Sequence, residues 1–464
     1  MTVVPEAGTS RQIFGVAEGL EAQVLVGLLR SRDAGLFVYV ARGERQLAST
    51  LESLRLVGSG FGVHEFPAWD CPAFTKTSPS PQVTAGRIGL LAALASGSLE
   101  TPAVILTTAS ALLQRLPPSD HFRNTLIRLE IGQSCEVGAL PARLDAMGYV
   151  RSPRVMDHGE YAVRGSLIDV FPSGQRRPLR LDFFGDDLEG IRLFDVSSQL
   201  TASQTEAVDI PPMSEIVLDA ESISRFRRRY RTHFDMGLGR DSLYTALTAG
   251  VRVPGIEHWL GFFYQRTCLL CDYLPDAVFV FEDGIKPQLE SGWREFRNEY
   301  EERQSSPAAF DGGGSIWGCP PEFMQTDPES LEGSLAANPQ IQLRIASAPP
   351  EQEANDVGGR PIVGFGHHRS ANTGSLLQHL REYVAECRKE GNVVVACWSE
   401  GSRDRFRQLL RDEGVHGSVL VDDLNSLSAG SGMLGLSVWR LEHGFRFRSL
   451  TVLSEQDIFG ARLA

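Results

Sequence analysis

The sequence predicts an α/β protein in which a parallel sheet with covering helices is interrupted by a small β-rich (α+β) domain and followed by a separate small α/β domain. Three observations carry this. From Gln12 to about residue 118, short β-like runs alternate with helical ones, the pattern of a parallel sheet whose crossovers are helices. Between Val155 and Gln199 apolar and polar residues alternate instead, with breaks at His158-Gly159, Pro172-Ser173-Gly174 and Gly185-Asp186-Asp187, as in short antiparallel strands joined by tight turns. After the breaker-rich stretch 348–361, taken as a linker, an α/β pattern begins anew. The divisions fall at 1–118, 119–210, 211–347 and 348–464.

In the first unit the strand-like runs are QIFGV, LFVYVAR, VHEFP and AVILTT, and the helical ones EAQVLVGLLRS, ERQLASTLESLRLVG and GRIGLLAALASG. The first strand-to-helix turn of such a sheet is where a phosphate loop of the form GxxxxGK[ST] sits. Here it reads Gly15-Val16-Ala17-Glu18-Gly19-Leu20-Glu21-Ala22. Gly15 keeps the first glycine, but Leu20 replaces the second, Glu21 the lysine, and Ala22 the hydroxyl that would hold magnesium. Reversing a charge beside a triphosphate costs roughly 1 to 4 kcal/mol in partly exposed surroundings. A strand-helix turn without a ligand is expected. The second ATPase element would be an acidic pair ending a buried strand. Val278–Phe281 is such a strand, yet Glu282-Asp283 carries its carboxylates in inverted order, displacing both by about a methylene in a chemistry that needs near-ångström placement. No cofactor and no catalytic residue is expected.

In the β-rich stretch, side-chain alternation lets Leu179, Leu181 and Phe183 face the core while Arg180, Asp182 and Phe184 face out. Tyr161 and Val163 fall on one side of their strand, Ala162 and Arg164 on the other. Arg164, Arg180 and Phe184 are therefore candidates for one exposed sheet surface, and arginines and aromatics dominate interface hot spots. Pairing within the domain, Arg180 with Asp182 or Glu189, is the alternative.

Farther on, LPARLDAMG reads as a short helix stopping at Gly148, and DAESISRFRRRYRTHFD as a helix capped by Asp219 with Ile223, Phe226, Tyr230 and Phe234 on its apolar stripe. Its arginines at 225, 227, 228, 229 and 231 form either a solvated face with ion pairs or a nucleic-acid contact. Cys268 and Cys271 form a lone CxxC without the two further ligands a structural zinc needs, so no metal site is expected. His258 and Trp259 read as packing residues, and Glu290–Arg303 as a charged, exposed helix. SSPAAFDGGGS at 305–315 breaks regular structure, and GFGHH at 364–368 reads as a turn.

The 464 residues carry 45 basic and 58 acidic side chains, a net charge of -13, so weak or no direct DNA binding is expected. No apolar run spans a bilayer and the start lacks a secretory signal. Seven scattered cysteines fit free thiols in a reducing cytoplasm.

The strings GEYAVRGSLIDVFPSG, RLDFFGDDLEGIRLFD and SSQ in the β-rich stretch resemble domain 2 of the bacterial transcription-repair coupling factor and, more distantly, the same domain of the excision-repair helicase UvrB. VPGIEHWLGFFYQ at 253–265, LLCDYLPDAVFVFED at 269–283 and SEQDIFGARL at 454–463 favour the coupling factor. The similarity covers nearly the whole chain and is looser between about 300 and 430. It implies a degenerate RecA-like, P-loop-type unit akin to UvrB, with 1–118 as domain 1a, 119–210 as the UvrA-docking domain 2 and 211–347 as domain 1b. It also implies that Arg164, Arg180 and Phe184 bind UvrA, each expected to weaken binding when truncated while leaving the unfolding midpoint nearly unchanged. In the family a polymerase-binding domain and an ATP-driven motor follow SEQDIFGARL. This chain, ending at Ala464, is thus expected to recruit UvrA without translocating, and to reach RNA polymerase only through domains it lacks. A DNA-tethering module built on the Arg225–Arg231 run and a UvrB-like helicase subunit are the alternatives.

Overall fold

Strands buried on both faces need helices on both sides, and the first 108 residues supply them in turn. In the computed structural model, which describes residues 4–31, 35–58, 60–234, 242–305, 318–362, 373–427 and 432–460, β1 (Ser10–Ile13), α1 (Glu21–Arg30), β2 (Leu36–Ala41), α2 (Glu44–Val57), β3 (Gly62–Phe66), α3 (Pro81–Ser96) and β4 (Ala103–Thr108) follow one another. Every residue of β4, and all of β2 but Leu36, is buried. Helix α3 begins where Ser80 Oγ accepts from Val83 N, has proline in its first turn, and stops at Gly97 in the left-handed conformation.

The β-rich unit follows. It holds β5 (Ile127–Glu130), β6 (Val150–Arg151), β7 (Glu160–Arg164), β8 (Leu167–Val170), β9 (Leu179–Phe184), β10 (Asp187–Phe194), β11 (Thr201–Thr205) and β12 (Ala207–Ile210). Six of these form a sheet in the order β11-β10-β9-β8-β7-β6, antiparallel except between β6 and β7, while β5 and β12 make a separate ribbon. The chain then returns to the first sheet with β13 (Val278–Phe281) and β14 (Gln340–Leu343). That sheet is parallel throughout, in the order β1-β14-β13-β2-β4-β3, so the β-rich unit is inserted between strands of one sheet.

The last unit adds β15 (Arg360–Pro361), β16 (Asn392–Cys397), β17 (Ser418–Leu420), β18 (Leu434–Val438), β19 (Phe445–Phe447) and β20 (Leu450–Ser454), ordered β15-β19-β20-β16-β18-β17. The sequence predicts this unit as separate. Its sheet is its own, but its core is not. Trp439, Leu441, Phe445 and Val452 lie in one buried cluster with Leu20, Leu25 and Leu54 of the first unit, and Trp439 Nε1 donates to Ser53 Oγ at 2.9 Å. Burial of Leu441 and Phe445 contributes roughly 1.5 to 3 kcal/mol each. Arg440–Glu52 and Arg45–Glu442 ion pairs rim the contact. The presumed linker is docked too: Phe14 bridges Asp356, and Pro350–Asn355 forms a short 3-10 helix.

A second correction concerns the charged helix predicted at Glu290–Arg303. Within the helix Ile285–Ser305, Leu289 and Phe296 are buried, and the Phe296 ring lies 4.8 Å from that of Phe74, because three apolar positions at helical spacing suffice for one packed face. The predicted turn at 364–368 and nearly all of the break at 305–315 lie outside the described residues.

Helix α3 joins the first unit to the β-rich one. Ile88 and Leu91 belong to the core of the parallel sheet and Ala85 to that of the antiparallel one. Arg87, fully buried, donates from Nε to Glu215 at 2.7 Å and from Nη1 to Pro67 O and Gln114 Oε1 at 2.8 Å, tying β3, α3 and the exit of the β-rich unit together. A Cβ on Gly89 would stand 2.7 Å from the backbone of Gly174, whereas one on Gly86 would meet nothing within 4 Å. Gly89→Ala is expected to destabilise the chain by about 1 to 3 kcal/mol in urea unfolding, since backbone must shift. Gly86→Ala, one turn earlier, should instead stabilise by roughly 0.5 to 1 kcal/mol. Equal effects of the two would contradict this account of the contact.

Candidate functional site

Two places bear the residues singled out above: the turn after β1 and the outer face of the antiparallel sheet. In the turn, Gly15 and Gly19 take φ of 68° and 87°. A Cβ on Gly19 would come within 2.8 Å of Leu441 Cδ2 and 3.1 Å of Phe445 Cε1, and one on Gly359 within 2.4 Å of Gly15 O. The chain's own atoms thus fill the concavity where a ligand of such a sheet would lie. Ala22 is fully buried. The Glu21 carboxyl accepts from Gly19 N–H at 2.7 Å, so an oxygen of the chain itself occupies a loop donor. Burial foremost, with Glu282 and Glu18 adding to it, pushes the Glu21 carboxyl up to about 8.

The acidic pair is divided between two arginines. Glu282 accepts from Arg42 N at 2.6 Å and Arg42 Nε at 2.9 Å, and burial holds its carboxyl above the usual range. Asp283 accepts from Arg344 Nη1 at 3.0 Å and Ile345 N at 3.1 Å. Among the described residues no group of three His, Cys, Asp or Glu is placed to hold a metal ion. Cys268 is half-buried and Cys271 buried, its thiol pushed up to about 12 by burial.

On the antiparallel sheet, register settles the faces. Tyr161 pairs with Val170, Arg164 with Leu167, Asp169 with Arg180, and Phe184 with Asp187. Tyr161, Ile168, Val170, Leu179, Leu181 and Phe183 build the core, which leaves Arg164, Arg180 and Phe184 together on the opposite face. Phe184 is 75% exposed and Arg164 is exposed, its Nη2 donating to Pro153 O at 2.8 Å. Arg180 differs. Its side chain is 18% exposed, its fork is bound to the buried Asp169, and its guanidinium lies 4.6 Å from the Phe194 ring centroid. Neither partner considered from sequence serves it: Asp182 pairs with Arg192 at 2.9 Å, and a bulge between Leu188 and Gly190 takes Glu189 out of step. The face is also not open throughout, because Val155, Ala162, Phe171 and Phe194 close a small second core on it. Asp169 was invisible as a site residue; its only signal was a carboxylate amid Leu167, Ile168 and Val170.

The arginine helix, Ala220–His233, starts on a capping box between Asp219 and Ser222, with Phe226 and Tyr230 buried. Its arginines mostly hold carbonyls rather than carboxylates. Arg225 Nε donates to Phe263 O and Arg229 Nη2 to Gln265 O, both at 2.7 Å, and Arg229 also reaches Gly261 O, which caps the end of the helix Leu260–Phe263. Arg231 Nε donates to Tyr244 OH at 2.9 Å. His258 is buried in an aromatic cluster, and burial lowers its pKa to about 4. No helix among the described residues is long and apolar enough to cross a membrane.

Comparison with known proteins places these features. The family described as UvrB interaction domain matches residues 127–216, which include β5 to β12. The chain is 26% identical to a transcription-repair-coupling factor of Haemophilus influenzae over 99% of its own length, and 27% identical to that of Escherichia coli over 100%. A third, from Myxococcus xanthus, is 28% identical over 86% of the chain. The chain spans 39% of the length of the first two relatives. It is similar, along essentially all its length, to an N-terminal region of transcription-repair coupling factors, as the strings around β7 to β10 imply.

The buried Glu21 gives the stability a pH dependence. A carboxyl at about 8 in the folded chain, against 4.5 ordinarily, retains its proton while the unfolded chain loses it. Stability is therefore lost as pH rises through this window, by on the order of a few kcal/mol. Glu21→Gln is expected to flatten the loss, gaining on the parent between pH 5 and pH 8 in denaturant midpoints. Parallel pH profiles for variant and parent would show that Glu21 ionises normally.

Proposed function

We propose that this chain is a non-catalytic, UvrA-recruiting part of a transcription-repair coupling factor, linking stalled RNA polymerase to nucleotide excision repair. The observation that carries the reading is the pairing of an aromatic ring left 75% exposed at Phe184 with Arg164 and Arg180 on the same sheet face, inside the segment that the UvrB interaction domain matches. An exposed aromatic beside arginines is the composition of an interface hot spot. Contact with RNA polymerase and ATP-driven movement belong, in this proposal, to stretches of the longer relatives that the chain does not span.

The parallel order of the first sheet and its turn after β1 support a degenerate RecA-like unit. Its loop offers a triphosphate no lysine, and its concavity is filled by Leu441 and Phe445. The chain then neither binds nor hydrolyses ATP; turnover by the purified chain that disappears with Asp283→Ala would contradict this. DNA tethering is the weaker reading, because Arg225, Arg229 and Arg231 are engaged with neighbouring carbonyl and hydroxyl oxygens, and Phe226 and Tyr230 are buried away from any base.

Arg164→Ala and Phe184→Ala are expected to weaken UvrA binding by one to three orders of magnitude, about 2 to 4 kcal/mol, with the unfolding midpoint unchanged. The sequence-based expectation that Arg180→Ala also leaves folding intact is corrected: it would strand the buried Asp169 carboxylate, at a cost of about 3 to 5 kcal/mol. Titration calorimetry beside thermal melts checks both statements. A folded Arg164→Ala/Phe184→Ala double variant that binds UvrA like the parent would move the docking site elsewhere.

A further inference from the structure

We infer that Asp169 is a positioning residue of the docking face, holding the Arg180 guanidinium so that its remaining edge meets an acceptor on UvrA. The inference rests on the docking reading above and deepens it. Antiparallel register sets Asp169 directly opposite Arg180 on neighbouring strands. Nε donates to Oδ1 at 2.7 Å and Nη2 to Oδ2 at 2.8 Å, the two-pronged geometry that only a planar fork can make. The Phe194 ring, fully buried, faces the same guanidinium and fixes its plane. Two bonds and one ring leave the Nη1 edge for a partner's oxygen. Arg192, opposite Arg180 on the other side, does not compete for Asp169 because it is paired with Asp182.

A purely structural ion pair explains less. Burying a carboxylate at 2% exposure against an arginine stabilises a fold no better than two apolar side chains of the same size. Such a pair is well suited to holding a long side chain in one orientation before binding. Ordering an arginine only on association lowers affinity roughly two- to tenfold.

The test is UvrA affinity of the whole chain in a double-mutant cycle, with thermal melts alongside. Asp169→Asn keeps shape and one acceptor oxygen; Arg180→Lys keeps charge but not the fork. Asp169→Asn is expected to weaken UvrA binding roughly two- to tenfold in the parent. The same loss should appear in a Phe184→Ala background and vanish in an Arg180→Lys background. An equal loss in the Arg180→Lys background, or a folded Asp169→Asn chain that binds as the parent does, would overturn the positioning role. Should Asp169→Asn not fold, Asp169→Glu moves the charge by one methylene and is read by the same cycle. If Phe184→Ala weakens binding while Asp169 substitutions do not, only this inference fails. If the parent does not bind UvrA, the docking reading falls and this inference with it.

Discussion

A parallel sheet buried on both faces must be covered on both, and that requirement organises the chain. Helix α3, the segment around Leu270 and the helix Ile285–Ser305 cover one face. On the other, α1 and α2 are covered in turn by the last unit, through Trp439, Leu441 and Phe445. In open α/β sheets, ligands bind at the crevice beyond the carboxyl ends of the strands. Here Leu441 and Phe445 of the last unit pack against the turn after β1 at Gly19, and Asp356 and Arg360 against Gly15. Within that turn Leu20 joins the shared core, and Glu21 accepts from a loop N–H.

The antiparallel sheet solves a different problem. It buries one face against the helix Leu140–Ala146 and needs little on the other, which becomes available for a partner. Part of that outer face is closed by the cluster around Phe194, and there Arg180 and Asp169 form a rigid, partly buried fork. At the other end of the strand Phe184 stands in solvent beside the turn into β10. In the proposed function the rigid charge orients the partner and the exposed ring supplies apolar contact.

How much of this was readable in the sequence follows from the range of the interactions. Period-two alternation sets the faces of β7 and β9, so the sequence alone groups Arg164, Arg180 and Phe184 as candidates for one surface. The partner of Arg180 was not readable, because Asp169 is brought opposite it by a register across the loop 171–178, while the nearer Asp182 and Glu189 are diverted by Arg192 and by a bulge. Strands β18 and β19 give little signal in the sequence: the first carries a glycine at 435 where the Val421 side chain packs close, and the second is three residues long. The filling of the loop after β1 by Leu441 and Phe445 joins residues more than 400 positions apart, a distance at which no local pattern gives a signal. The arginines of Ala220–His233 look available for phosphates in sequence because their acceptors, carbonyls of 261 to 265, are backbone atoms of a later segment.

The central claim is that the outer face of the antiparallel sheet is where the chain meets UvrA. Hydrogen exchange of the whole chain with and without UvrA tests it most directly. The account predicts slowed exchange confined to the outer-face strands around Arg164, Arg180 and Phe184, in β7 and β9 and their neighbours β8 and β10, with the helix Ala220–His233 and the turn after β1 unchanged. Protection at that helix or at the first sheet, with the outer face unaltered, would contradict it.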